Sequence, residues 1–201
     1  MRSHRPPHHA RSHERELPGL LVALHDQTAL ARRWAARDLA SFPEAAPALL
    51  GLLDTEHDAT VREALLTSLI RVGNAIAVQG LARCLRSENV SLRNEAVEAM
   101  KSMPSAVAEF MPGMLADEDQ DVRIFAINIL ESLRHPQVEQ WLIDVIRGDP
   151  SVNACATAVD LLGEVGTASA APALEALKLR FPSEPYIEFA ADLALKRVRE
   201  D

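Results

Sequence analysis

The chain has 201 residues, a formal net charge of -8, 48% hydrophobic residues and only 4% aromatic residues. This composition excludes collagen-like, mucin-like, disulfide-scaffold and fully disordered proteins. Two cysteines, Cys84 and Cys155, lie outside any CxxC or Cys/His cluster, which favours buried thiols in a reducing, cytoplasmic compartment. The apolar run at 20–24 is too short for a membrane span or a signal sequence, so we expect no membrane association.

Residues 1–16 differ in composition from the rest and are predicted to be a disordered, basic, His-rich tail. Four arginines and two glutamates give this tail a charge of +2, which leaves -10 on residues 17–201. Because an acidic body repels phosphate, nucleic acid is not an expected partner. The four tail histidines have no fold to fix their geometry, so no specific metal site is predicted there.

From residue 17 onward the sequence repeats. One apolar position recurs every 30 to 33 residues, at Ala31, Val61, Leu92, Val122, Ala154 and Ile187. Eight residues later the chain always has leucine or methionine, at Leu39, Leu69, Met100, Leu130, Leu162 and Leu195. A third apolar position, at an offset of 11, holds Phe42, Val72, Met103, Leu133, Val165 and Val198. Residues at these offsets lie on one side of an α-helix. The pattern therefore predicts one such helix per repeat, which we name the A helix.

Each A helix has a predicted start, and a second helix lies before the next one. Candidate N-cap residues stand three positions before the first apolar residue, at Thr28, Asp58, Asn89, Asp119 and Ser151, with Glu184 at the sixth. The intervening B helices are marked by Leu20, Leu49, Leu81, Met114, Leu142 and Leu174. Prolines near four B-helix starts agree with this interpretation, since a first-turn proline loses no helical hydrogen bond.

The segments DATVREALLTSL and DQDVRIFAINIL, with LGEVG at 162–166, resemble HEAT repeats of the short bacterial type, also called phycobilisome-lyase-type repeats. The resemblance implies an all-α, right-handed α-solenoid of antiparallel helix pairs over residues 17–201. About five pairs would lie between capping helices near 17–25 and 185–199. Stacking is also physically required, because one helix pair cannot bury its apolar side alone.

Arginine follows the first apolar position in four repeats, at Arg32, Arg62, Arg93 and Arg123, which we call the arginine ladder. Such a series could bind an acidic partner. In HEAT-type repeats this arginine typically bonds an acidic or carbonyl group of an adjacent turn, and the resemblance favours that structural role. The ladder stops at Cys155 and Glu188, which marks the C-terminal third as different.

Trp141 is the second departure, because the other B helices have glycine or alanine there. A tryptophan at this position either packs into a gap or anchors a protein partner. Its neighbours on α-helical spacing should face solvent, together with two arginines of an earlier B helix. The candidate partner-binding residues are Arg83, Arg86, Gln140, Trp141, Asp144 and Arg147.

The residues do not predict an enzyme. Deoxyhypusine hydroxylase, a HEAT-repeat enzyme, holds iron with His-Glu pairs, but the one such pair here, His13-Glu14, is in the tail. Asp117, Asp119 and Asp121 imitate the start of a calcium loop without its glycine or final glutamate, so an acidic turn between helices is expected. We therefore predict no catalytic residue, no cofactor and no metal.

The sequence favours a non-enzymatic protein-protein interaction scaffold or regulatory adaptor that binds another protein along a concave surface of B helices. The alternative is a bilin lyase or lyase-like chaperone acting on a tetrapyrrole-carrying protein, since such proteins share these repeats. A large apolar pocket would favour the lyase, and a shallow polar groove would favour the scaffold.

Overall fold

A computed structural model describes residues 16–200, and this part of the chain is helical with no β-strand. The predicted tail therefore lies outside the described residues, apart from Glu16. The α-helices are α1 (Leu17–Ala23), α2 (Ala29–Leu39), α3 (Ala46–Leu53), α4 (Ala59–Val72), α5 (Ala75–Cys84), α6 (Val90–Lys101), α7 (Pro104–Val107), α8 (Met111–Leu115), α9 (Gln120–Leu130), α10 (Val138–Gly148), α11 (Val152–Val165), α12 (Ala171–Arg180) and α13 (Pro185–Glu200). The alternation of A and B helices is confirmed.

The B helix predicted at Pro112 begins there, as α8, and a short additional helix precedes it. α7 and α8 are joined by a 3₁₀ turn, Ala108–Phe110. Pro112 has no N–H to donate to the Ala108 carbonyl, so the preceding residues tighten into the 3₁₀ form. If α7 and α8 are counted as one B helix, the described residues form the twelve helices that the repeat predicts.

The turns before the A helices share one hydrogen-bonding scheme. The side chains of Thr28, Asp58, Asn89, Asp119 and Ser151 accept backbone N–H groups of the first helical turn, as predicted. Two residues earlier, a second polar side chain accepts the N–H of the N-cap residue itself, at Asp26, Glu56, Ser87, Asp117 and Asp149. This second bond was not predicted. The sequence Asp117 to Asp121 is thus an acidic interhelical turn.

The contacts divide the chain into two compact units, one ending at Ala77 and one beginning at Val78, within α5. In the first unit α2 packs against α4, α1 against α2, and α3 against α4. In the second unit α11 packs against α9, α10 and α13, while α12 packs against α10 and α13. One continuous domain over 17–201 remains a prediction.

The repeated apolar positions form the cores of these units. All six residues of the Leu39 series and all six B-helix marker residues are buried. The third series is less uniform: Val165, at the last residue of α11, is 43% exposed, and Phe42 and Val72 are half-buried. The offset pattern therefore predicts burial well within a helix and less well at its C-terminal end, where fewer neighbours cover the last turn.

Four polar residues are buried in the described part of the chain, namely Glu56, Ser68, Arg123 and Asp149. Each has a partner, as burial without one would be costly. The Ser68 hydroxyl donates to the Ala36 carbonyl at 2.8 Å and joins α4 to α2. The other three belong to arginine–carboxylate pairs, one in each unit.

Candidate protein-binding groove

A groove of about 570 Å³ opens in the second unit between α8 and α10, two successive B helices. α8 contributes Pro112 and Leu115, and α10 contributes Trp141 and Gly148. The remaining lining residues are Ala116, Asp117, Glu118, Arg123, Asp144, Val145, Asp149 and Pro150. The groove is thus bounded by apolar side chains and by the two acidic turns that follow α8 and α10.

A buried ion pair underlies the groove. Arg123 donates from Nε and Nη2 to the two carboxylate oxygens of Asp149, at 2.6 and 2.9 Å. Its third nitrogen, Nη1, donates to the carbonyls of Asp117 and Glu118 at 2.8 and 3.1 Å. The Asp149 hydrogen bond raises the pKa of Arg123, and burial opposes this to a lesser degree. The bidentate geometry therefore links α9 to both turns that line the groove.

All four residues of the arginine ladder have the structural role that the resemblance favoured. Each guanidinium donates to the carbonyl six residues earlier, in the turn before its own helix: Arg32 to Asp26, Arg62 to Glu56, Arg93 to Ser87 and Arg123 to Asp117. Arg32 also forms a bidentate pair with Glu56, at 2.7 and 2.9 Å. The ladder therefore fixes turns within the protein.

In α11 the ladder position holds Cys155 instead of arginine, and Arg180 donates the equivalent hydrogen bond. The Cys155 thiol lies 3.4 Å from the Asp149 carbonyl, the equivalent acceptor six residues earlier. Arg180, at the end of α12, donates to that same carbonyl at 2.7 Å and also to the Ile146 carbonyl. Burial raises the pKa of the Cys155 thiol. Cys84 and Cys155 are both buried and unbridged, as predicted.

Trp141 both packs and lines the groove. Its ring stacks on His135 with centroids 5.0 Å apart and planes only 4° from parallel. The His135 Nδ1 accepts the Gln137 N–H at 3.2 Å, which holds the imidazole in place. Trp141 is half-buried, so part of its indole remains available at the groove wall.

Of the other candidate residues, Asp144 alone lines the groove. Asp144 lines the groove and accepts a hydrogen bond from Gln140 at 2.8 Å. Arg86 forms an ion pair with Asp117, which also lines the groove. Arg83 and Arg147 are exposed, as predicted, but are not among the lining residues.

The groove is acidic. Four carboxylates and one arginine line it, and two of those carboxylates, Asp117 and Asp149, are neutralised by Arg86 and Arg123. Within the described residues, Glu118 and Asp144 have no cationic partner. The sequence analysis did not name the turn residues Glu118 and Asp149. A signal for Asp149 is visible in the sequence, because an acid stands two residues before the N-cap in four of the five turns, with Ser87 in the fifth.

Residues 16–200 contain no group of three or more histidine, cysteine or acidic side chains that could hold a metal ion. In the same range, no helix combines the length and apolarity needed to cross a membrane.

Several solved structures share this helical architecture at low identity. An archaeal HEAT-like repeats protein from Thermococcus onnurineus NA1 is 13% identical, with a TM-score of 0.47 over 90% of this chain and 86% of that one. The complex of CpcE and CpcF of phycocyanin lyase from Nostoc sp. PCC7120 is 17% identical, with a TM-score of 0.40 over 98% and 99%. Human deoxyhypusine hydroxylase in complex with glycerol is 16% identical, with a TM-score of 0.48 over 92% and 84%. At these values the similarities say nothing about activity.

No curated protein matches the chain. The family model for HEAT repeats matches residues 17–101 and 107–196, which together are most of the sequence. The described helices alternate along the chain as that family requires, and within each unit A helices pack on A helices, as α2 does on α4 and α9 on α11. The chain belongs to the HEAT-repeat family.

Proposed function

We propose that this protein is an interaction scaffold or regulatory adaptor that binds a segment of another protein in the groove between α8 and α10. The observation that carries the proposal is Trp141, an aromatic side chain held by His135 at the wall of an open acidic groove. Tryptophan is enriched among residues that dominate binding energy. The HEAT-repeat fold fits such a role.

Preorganisation favours binding at this site. The Trp141 ring is already stacked, and the pair of Arg123 and Asp149 already fixes the two turns. A partner therefore orders few side chains on this surface, which lowers the entropic cost of association. Gln140 has a positioning role in this scheme, because its amide orients the Asp144 carboxylate.

The charge of the groove favours a segment that contains arginine or lysine. A guanidinium can lie against the free part of the Trp141 indole and pair with Asp144 or Glu118. Arg83, Arg86 and Arg147 would then contact a longer partner at the rim of the groove. Rim charges affect the association rate more than the affinity.

Peptide binding followed by Trp141 fluorescence tests this proposal. A Trp34→Phe background makes Trp141 the only tryptophan, and a tetra-arginine peptide is titrated against a tetra-glutamate peptide. We expect saturable, salt-sensitive binding of the tetra-arginine peptide only. Asp144→Asn with Glu118→Gln should weaken it by about tenfold or more. Glu63→Gln with Glu184→Gln removes the same charge from exposed sites that do not line the groove and should have no effect.

A steric variant gives an independent test. A Cβ added at Gly148, which lines the groove, or at Gly51, in the first unit, would meet no atom within 4 Å. A leucine side chain at Gly148 would therefore project into the groove and should block the peptide. The same change at Gly51, which does not line the groove, should not affect binding. Equal binding of both peptides, or binding insensitive to Gly148→Leu, would refute the proposal. Binding of a free bilin that Gly148→Leu abolishes would favour the lyase alternative.

A further inference from the structure

The chain begins with a basic stretch that the repeats do not use, since the sequence repeat starts only at residue 17. Residues 1–13, which we call the basic segment, hold Arg2, Arg5 and Arg11 together with four histidines and no acidic residue. With histidine neutral its formal charge is +3, which leaves -11 on the rest of the chain. An acidic surface of this protein that is open to solvent therefore attracts the basic segment.

The groove between α8 and α10 is an acidic surface of this kind. Its carboxylates Glu118 and Asp144 are exposed, and neither has a cationic partner within the described residues. The half-buried Trp141 indole also lines the groove. A guanidinium can pair with a carboxylate through two hydrogen bonds and can lie on an indole, as Arg37 lies over the Trp34 ring, 5.5 Å from its centroid. The groove thus offers both kinds of contact to an arginine.

Guanidinium groups of this chain already lie against the other two groove carboxylates. Arg86 pairs with Asp117, and Arg123 pairs with Asp149. Two of the four groove carboxylates are therefore neutralised from within the second unit. The remaining two are left for cations that come from outside the described helices.

We propose that the basic segment of this chain binds in the groove and competes there with the partner. The inference rests on the proposed function, because it gives the same site a second ligand of the same chemistry. Pro6 and Pro7 restrict the backbone of the segment, which lowers the entropic cost of holding it in the groove. Every copy of the protein carries one such segment, so a partner has to displace it. The basic segment thus sets a threshold of affinity that excludes weakly basic proteins.

Peptide titration in the Trp34→Phe background, followed by Trp141 fluorescence, tests the competition. Arg2→Gln, Arg5→Gln and Arg11→Gln together form the segment variant of the full chain. This variant should bind the tetra-arginine peptide several-fold more tightly than the parent with its arginines intact, because its groove is no longer occupied. No tightening would overturn the proposal.

A matched control separates occupancy of the groove from net charge. Arg71→Gln, Lys196→Gln and Arg197→Gln together remove the same charge from exposed positions that do not line the groove. This control variant should bind the tetra-arginine peptide as the parent does. Equal tightening in the two triple variants would overturn the proposal, because the effect would then come from charge alone.

A synthetic peptide of residues 1–13 tests the recognition directly. Added to the segment variant, it should change the Trp141 fluorescence and displace the tetra-arginine peptide. Asp144→Asn with Glu118→Gln should weaken its binding by about tenfold or more. If the tetra-arginine peptide binds and the 1–13 peptide does not, this proposal fails and the proposed function stands. If neither peptide binds, the proposed function fails, and this proposal fails with it.

Discussion

The turn before α4 and the turn before α11 perform the same task with different residues. Each contains a buried carboxylate, Glu56 or Asp149, that is held by an arginine of the preceding A helix. In the first turn the ladder residue Arg62 also donates to the backbone carbonyl of the carboxylate residue, at 3.4 Å. In the second, Arg180 from the following B helix supplies that donor. In both turns a guanidinium donates to the backbone carbonyl of the buried carboxylate residue. It comes from the following A helix in the first turn and from the following B helix in the second.

The largest expected effect comes from removing the arginine that faces each carboxylate. Arg123→Gln should lower the free energy of unfolding of the second unit by about 3 to 5 kcal/mol, because Asp149 would remain buried without its cation. Arg32→Gln should cost less, since the Arg32 side chain is 17% exposed and that of Arg123 is 10% exposed. Hydrogen exchange, followed separately in residues 16–77 and 78–200, measures both.

Each variant should act mainly on its own unit. Arg199→Gln is the control for the loss of an arginine, because Arg199 and Glu175 form an exposed pair worth less than about 1 kcal/mol. Equal losses of protection for Arg123→Gln and Arg199→Gln would contradict the role given to the buried pair.

Arg180 should have the next largest effect. Arg180→Ala removes the donor to the Ile146 and Asp149 carbonyls and should destabilise the second unit by about 1 to 3 kcal/mol, measured by urea unfolding. If Arg180 substitutes for the missing ladder residue, adding Cys155→Arg to Arg180→Ala should recover part of that loss. Cys155→Arg alone should destabilise, because two guanidinium groups would then compete for one space. A double variant that is less stable than either single variant would rule out this exchange of roles.

The smallest effect is a dependence on pH in the first turn. The hydrogen bond from Arg32 lowers the pKa of Glu56 below its ordinary value of 4.5, against the opposing effect of burial. A carboxylate with a lowered pKa stabilises the fold above the pKa of its unfolded state, and this contribution disappears as the pH falls through the folded pKa. The stability difference between wild type and Glu56→Gln should therefore be constant near neutral pH and shrink below pH 4.5.

Asp58 titrates in the same pH range and is present in both proteins. Its pKa is lowered mainly by hydrogen bonds from Thr60 and Val61, which Glu56→Gln leaves in place, so this part of its titration is common to the two proteins. A difference that stays constant from neutral pH to well below 4.5, where Glu56 of the unfolded chain is protonated, would show that the Glu56 charge contributes nothing.

The helices could be predicted from the sequence because their signals are local. The N-caps from Thr28 to Ser151 and the leucines of the repeat lie within one or two helical turns of what they specify. The start of α8 at Pro112 was predicted in the same way, because a proline near a helix start is also a local signal. For the candidate groove, the sequence singled out Trp141 as a departure from the repeat and Asp144 as its neighbour on the same helix, but the His135 ring that stacks on Trp141 lies outside that helix.

The sequence by itself determined the period, the alternation of A and B helices and the buried side of each helix, since apolar spacing and capping act over a few residues. Only the tertiary structure decided which side chains meet. It brought Arg180 to the Asp149 carbonyl, which has no ladder arginine because Cys155 stands at that position. It also placed His135 on Trp141 and left Tyr186, Phe189 and Leu193 of α13 exposed. These outcomes depend on the distance and orientation between helices, which a repeat pattern does not encode.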